Sequence, residues 1–188
     1  MPSYDDALTL FHAWTEGGSL RRHAYAVEAA MAYYAEEVFS LPPEEVEQWR
    51  MAGLLHDMDY ERHPSAEEHP FVGVQALRDQ GYDPDLIEAI LGHAQYSGTP
   101  RESLMAKTLF AVDELAGFVT AVAYVRPTGL EGMSPKSVKK KLKDKAFAAA
   151  VSRDDIRQGA EELGVDLDRH IAHVIAGMQR DAARLGFA

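Results

Sequence analysis

An all-α fold is predicted for this 188-residue chain by three features of its sequence. Apolar residues recur at the spacing of a 3.6-residue period, helix-starting residues precede the periodic segments, and no convincing strand pattern interrupts them. The length suits one domain, or one domain with a helical extension, and allows a full core without covalent staples.

The elements follow in order. Asp5 and Asp6 open a short helix over residues 7–15, ended by Gly17-Gly18. Ser19 can cap a long helix from Leu20 to about Phe39, whose apolar face runs through Ala24, Val27, Met31, Tyr34 and Val38. His23 lies on that face, where an imidazole needs a partner, either a backbone carbonyl or a metal. Pro42-Pro43-Glu44-Glu45 starts a third helix with Val46, Trp49, Gly53 and His56 as its inner stripe. A polar connection from Asp59 to Glu68 leads to a helix beginning near His69-Pro70. Asp83-Pro84 starts the next, which ends near His93. A long apolar helix then runs toward Val125. Beyond a loop, Ser134-Pro135 can cap a basic helix carrying Lys136, Lys139, Lys140, Lys141, Lys143 and Lys145. Ser152 caps a helix to about Leu163, and Asp166 caps a last one to Leu185.

Two places stand out chemically. His56 and Asp57 are adjacent where a helix ends. Neighbouring helical side chains diverge by about 100°, so the pair would not face one another, but both can converge on a cation at the helix end. The alternative is a hydrogen-bonded core histidine beside a helix-end carboxylate. In the long apolar helix, Asp113 has Leu109, Phe110, Ala116 and Gly117 as its neighbours one turn away. An ionised carboxylate there costs several kcal/mol unless it is paired or bound to a cation, and Arg126 beyond the helix end is a poor partner. Asp113 therefore points to a metal. His170 and His173 lie one turn apart with no matched acid, the pattern of packing or surface histidines; His12 and His63 receive no role.

Cysteine is absent, which excludes disulfides, thiol catalysis and cysteine-held metal centres. Thirty acidic against 19 basic residues give a formal charge of -11, which disfavours bulk nucleic acid but not a small phosphorylated molecule beside a bound cation. Neither a signal peptide nor a membrane span is expected, and a cytoplasmic location fits the lack of cysteine.

The ordered set His23, His56-Asp57 and Asp113 resembles the HD superfamily of metal-dependent phosphohydrolases. Glu68-His69-Pro70-Phe71-Val72-Gly73 is similar to the His-Pro-x-x-Gly step of the HD-GYP branch. Gly92-His93, the turn Gly98-Thr99-Pro100 and Ala111-Val112-Asp113-Glu114-Leu115 resemble later elements of that branch. The resemblance departs from it at Gly92, where a second histidine is usual, at Thr99, where a tyrosine is usual, and at Tyr60, where many HD proteins carry lysine. It looks closer to the uncharacterised predicted hydrolases of the superfamily.

What the resemblance implies is an HD-type helical bundle over residues 1–130, with a C-terminal helical extension over residues 131–188 packed on it. His23, His56, Asp57 and Asp113 would hold one divalent transition ion (manganese, iron, cobalt, nickel or zinc). His69 and His93 would hold a second, with Asp57 bridging. Metal-bound hydroxide would then hydrolyse a phosphomonoester or phosphodiester, nucleotide-like in character. Asp57 is the expected catalytic bridge, and Asp59 or Glu61 would position water or protonate the leaving group. Separately from the resemblance, the lysine-rich helix is a local inversion of sign in an acidic chain, either a solvated helix face or a phosphate-steering patch, and in the second case Arg126, Lys136 and Lys140 would contact phosphate. The alternative from another class is a non-catalytic sensor or scaffold that binds a metal or nucleotide.

Overall fold

The computed structural model describes residues 2–187, and among these there are nine α-helices and no strand. They are α1 (Tyr4–Trp14), α2 (Gly18–Tyr33), α3 (Pro43–Leu55), α4 (Phe71–Asp79), α5 (Pro84–His93), α6 (Leu104–Tyr124), α7 (Pro135–Leu142), α8 (Arg153–Leu163) and α9 (Leu167–Arg180).

Most starts follow the sequence signals, and the exceptions have local causes. Ser3 and Asp6 form a reciprocal capping box, so α1 begins before Ala7. Ser19 is not the cap of α2. Gly17 occupies that position without a side-chain bond, and the free amides of Glu16 and Gly17 donate instead to the Glu61 carboxylate. The α-helical part of α2 ends at Tyr33 and continues as a π turn, Tyr34–Val38. Asp83 caps α5, and Ser152 and Asp166 cap α8 and α9 as their residue types suggest. Ser134 stands at the start of α7 but makes no capping bond. Helix α7 stops at Leu142, before Lys143 and Lys145, and α9 stops at Arg180 rather than Leu185.

Helices α2 and α6 form the centre. Helix α2 packs against α3, α6 and α9, while α6 packs against α2, α5 and α8. Their buried faces (Val27 and Met31; Leu109, Val112, Leu115 and Val119) share one core with Leu54 of α3 and with Ile156, Ile171 and Val174 of α8 and α9. Each such side chain contributes roughly 1.5–3 kcal/mol by leaving water. Glycine sets the closest crossing that matters for the site. A Cβ on Gly53 would lie 2.8 Å from the Glu28 Cα, so only glycine lets α3 approach α2 this closely. The crossing is also tied electrostatically, because buried Glu28 accepts hydrogen bonds from Arg50 of α3, Arg184 and Tyr4.

His170 is a packing residue. Its Nδ1 accepts from the Tyr34 hydroxyl at 2.6 Å, and its Nε2 donates to the Ala111 carbonyl at 2.8 Å, which joins α9 to α2 and α6. Burial holds it neutral and, only partly offset by the Ala111 bond, lowers its pKa from 6.5 to about 4. Below pH 6.5 the unfolded chain therefore takes up a proton that the folded chain refuses, and stability falls as the pH drops toward 4. The expected loss across that window is about 3 kcal/mol. Urea melts of the wild type and His170→Gln between pH 7 and 4 check this: the variant is less stable at neutral pH and shows a shallower pH slope. Parallel slopes would contradict it.

Candidate metal centre

Six of the sequence-predicted side chains meet in space. His23 comes from α2, His56 and Asp57 from the end of α3, His69 from the turn before α4, His93 from the last position of α5, and Asp113 from the middle of α6. The close crossing at Gly53 brings His56, three residues on, against His23, with ring centroids 5.2 Å apart.

Asp57 stands between the imidazoles. Its Oδ1 is 3.3 Å from Nε2 of both His69 and His93. Its Oδ2 is 3.4 Å from Nε2 of His56 and 3.8 Å from Nε2 of His23. Asp113 Oδ1 lies 2.9 Å from His23 Nε2 and 3.5 Å from His56 Nε2. Two groups of donors result, His23–His56–Asp113 and Asp57–His69–His93, each with its atoms within 4.8 Å of one another. The second oxygen of Asp57 faces the first group.

Ring orientation is set from outside the cluster. His56 Nδ1 donates to the Gly53 carbonyl at 2.8 Å, His93 Nδ1 to the Ile90 carbonyl, and His69 Nδ1 to Asp59 at 2.7 Å. In the neutral rings these acceptors fix the proton on Nδ1 and leave the Nε2 lone pair turned inward. His56 Nε2 is buried without a hydrogen-bond partner, a condition that ordinarily costs about 1–3 kcal/mol. A divalent cation satisfies it. Imidazoles mixed with carboxylates suit transition ions better than calcium, so the residues fit the expected ions.

The field agrees. Burial disfavours a charged His56, but the carboxylates of Asp57 and Asp113 outweigh it and hold the ring well above its usual pKa. His69 is likewise raised to about 9, against burial, by Asp57 and Asp59. Burial opposes ionisation of Asp57 and Asp113, yet the charged His56 beside them holds both carboxyls below the usual range. Surroundings that hold protons on imidazoles also attract a dication, and the two compete.

A cavity of about 480 Å³ opens over Asp57 and Asp113. Besides His23, His69 and His93 it is lined by Tyr60, Gln95, Tyr96, Glu114, Val151 and Asp155. None of these six had been singled out as a site residue, because nothing local in the sequence brings them together. Glu114, adjacent to Asp113, is pushed up to about 7 by burial and by that neighbour's charge. A cation at Asp113 would cancel the second cause.

Five assignments need correction. Asp59 does not face the cavity: it is buried, and its two oxygens accept from His69 Nδ1 and from the Gly73 amide at 2.6 Å. It positions His69 rather than water. Arg126 donates to the carbonyls of Gly129 and Glu131, closing its own loop. Neither it nor Lys136 nor Lys140 lines the cavity. Glu61 is also elsewhere, at the start of α2.

Asp59→Asn should weaken the cation site at Asp57, His69 and His93 by about ten- to hundredfold, because the amide NH2 must face one of two donors. Chelator competition measures it. Two unchanged affinities would contradict the role given to Asp59.

Comparison with known families adds one match, the HD domain over residues 20–117, a stretch that contains all six converging residues. No curated protein and no solved structure matches the chain. The superfamily consists mostly of metal-dependent hydrolases, in keeping with two donor groups able to hold divalent ions. By its sequence match and its all-helical architecture, the chain belongs to the HD-domain family.

Proposed function

We propose that the chain is a metal-dependent phosphohydrolase cleaving a small phosphomonoester or phosphodiester. One observation supports this reading: of the six side chains in the two donor groups, five (His23, Asp57, His69, His93 and Asp113) line a single open cavity, and Asp57, a member of the second group, has its other oxygen toward the first. Three protein donors per ion leave positions for water and substrate. Bound there, divalent ions supply an activated water and neutralise charge developing on the phosphoryl oxygens.

The chain's own residues orient and enclose. Asp59 and the Gly53 and Ile90 carbonyls lock three rings, so the donors need no rearrangement when a substrate enters. Tyr60 stands edge-on to His69 with ring centroids 5.3 Å apart, and its hydroxyl is an uncharged donor available to the leaving group or a phosphate oxygen. A nucleotide-like substrate is what the family resemblance implies; the cavity size supports a small ester in general. The partner is accordingly a small phosphorylated molecule rather than bulk nucleic acid, in line with the net charge of -11. No described helix is long and apolar enough to cross a membrane.

The chain reconstituted with manganese, iron, cobalt, nickel or zinc should hydrolyse p-nitrophenyl phosphate or its bis ester. Chelation should abolish turnover, and His23→Ala should lower kcat/KM by at least about a hundredfold. A fully metal-loaded protein that turns over neither ester, nor any of a panel of natural monophosphates, would instead be a non-catalytic binding module.

A further inference from the structure

Part of the lysine-rich segment lines a second cavity. Lys139 and Lys143 are four residues apart, the spacing that brings side chains to one face. With Arg153 and Arg157 of α8 they border a space of about 180 Å³. The rest of its lining is apolar, Leu142, Ile156 and Leu167, and Ile156 belongs to the core. None of these residues lines the cavity over the metal centre.

The charge of this cleft is one-sided, in a chain whose net charge is -11. Among the described residues no carboxylate lines it. Lys139 pairs with Asp168 at 2.6 Å and Arg157 with Asp154 at 3.0 Å, both acids lying outside the lining. Both pairs are exposed, so they hold their cations only weakly. Lys143 and Arg153 take part in no ion pair among the described residues. Four cations less two carboxylates leave two positive charges, which one phosphomonoester dianion balances. Arg153 adds a separate observation. Its terminal nitrogens donate to the carbonyls of Asp144, Phe147, Ala148 and Val151, and its guanidinium lies over Phe118, 4.8 Å from the ring centroid. Those carbonyls fix the group without neutralising it. Its Nε is buried with no hydrogen-bond partner, an exception among buried donors that calls for an explanation. A cation thus stands fixed at the cleft with its charge uncompensated and one donor open.

We propose that the cleft between α7 and α8 is a second ligand site, distinct from the metal centre, for a small phosphomonoester dianion with a short apolar body. The phosphate lies among Lys139, Lys143, Arg153 and Arg157, and the body lies against Leu142, Ile156 and Leu167. Size narrows the ligand further. The cleft is smaller than the roughly 300–1,000 Å³ of drug-sized sites, which suits one ring or a few carbons and excludes a nucleotide. The proposal does not depend on the phosphohydrolase reading.

Calorimetry on the manganese-loaded full chain with phenylphosphonate, which is not a hydrolysable ester, tests this in mildly alkaline buffer. The metal centre is also open to a phosphonate, so a variant rather than the number of binding events identifies the cleft. Lys143→Ala/Arg157→Ala should weaken one event by at least about tenfold. Both side chains are exposed, and circular dichroism with metal content checks that the variant is intact. Should it not fold, Lys143→Ala alone must still weaken that event. At the same event methylphosphonate, which lacks the apolar body, and benzoate, which carries one charge, should each bind at least about threefold more weakly than phenylphosphonate. An isotherm that the variant leaves unchanged overturns the site. Methylphosphonate or benzoate binding as tightly as phenylphosphonate overturns the ligand class. A lipid headgroup offers the same phosphate, and flotation with phosphatidic acid vesicles separates the two sources. The chain should stay unbound, and flotation that the double variant abolishes would overturn the small-molecule reading.

Discussion

One carboxylate lies within 4 Å of four imidazoles, and the arrangement around it constrains much of the molecule. Asp57 is 23% exposed at the side chain and sits on the floor of the cavity, so its charge is screened only partly by water. Opposite charge has to come from the protein or from bound ions. Each imidazole must then arrive from its own element with its donor atom inward. That requires α3 to end at His56, α2 to pass close enough to present His23, and α5 to stop at His93. The glycine at the α2–α3 crossing, the Gly53 carbonyl that holds His56 and the buried Glu28 that ties the helices are parts of one local solution.

The legible part of the site is the part whose local chemistry was anomalous. Asp113 was readable because it interrupts an apolar helix with no cation in reach along the chain, and its neighbours in space are His23 and His56. The His56-Asp57 doublet was readable at a helix end. His69 and His93 were not distinctive alone and came from motif resemblance.

What escaped depended on direction. Asp59 follows Asp57 in a polar connection and looked available for catalysis, but the turn after α3 points it inward to His69 and Gly73. Charge along the chain suggested that Arg126, Lys136 and Lys140 would serve phosphate, yet sequence gives no bearing, and Arg126 is held by its own loop. Helix ends were missed where tertiary contacts override local signals, as at Gly17, whose amide is satisfied by Glu61 from a distant turn. The tyrosines and Asp155 were invisible for the same reason: their meaning lies in meeting across a cavity, which periodicity cannot report.

Helices α7 to α9 share the apolar core with the family-matched region, and α8 adds a wall to the cavity. The ligand set belongs to the matched region, whereas part of the substrate-facing surface comes from outside it. This division lets one metal-binding arrangement serve different esters by changing the residues that face it. The most direct test of the account is elemental analysis of metal-reconstituted protein beside Asp57→Ala. Two transition ions per chain, both lost or strongly weakened in the variant, are the predicted result. A chain that binds none after reconstitution, or that binds them equally well without Asp57, would contradict it.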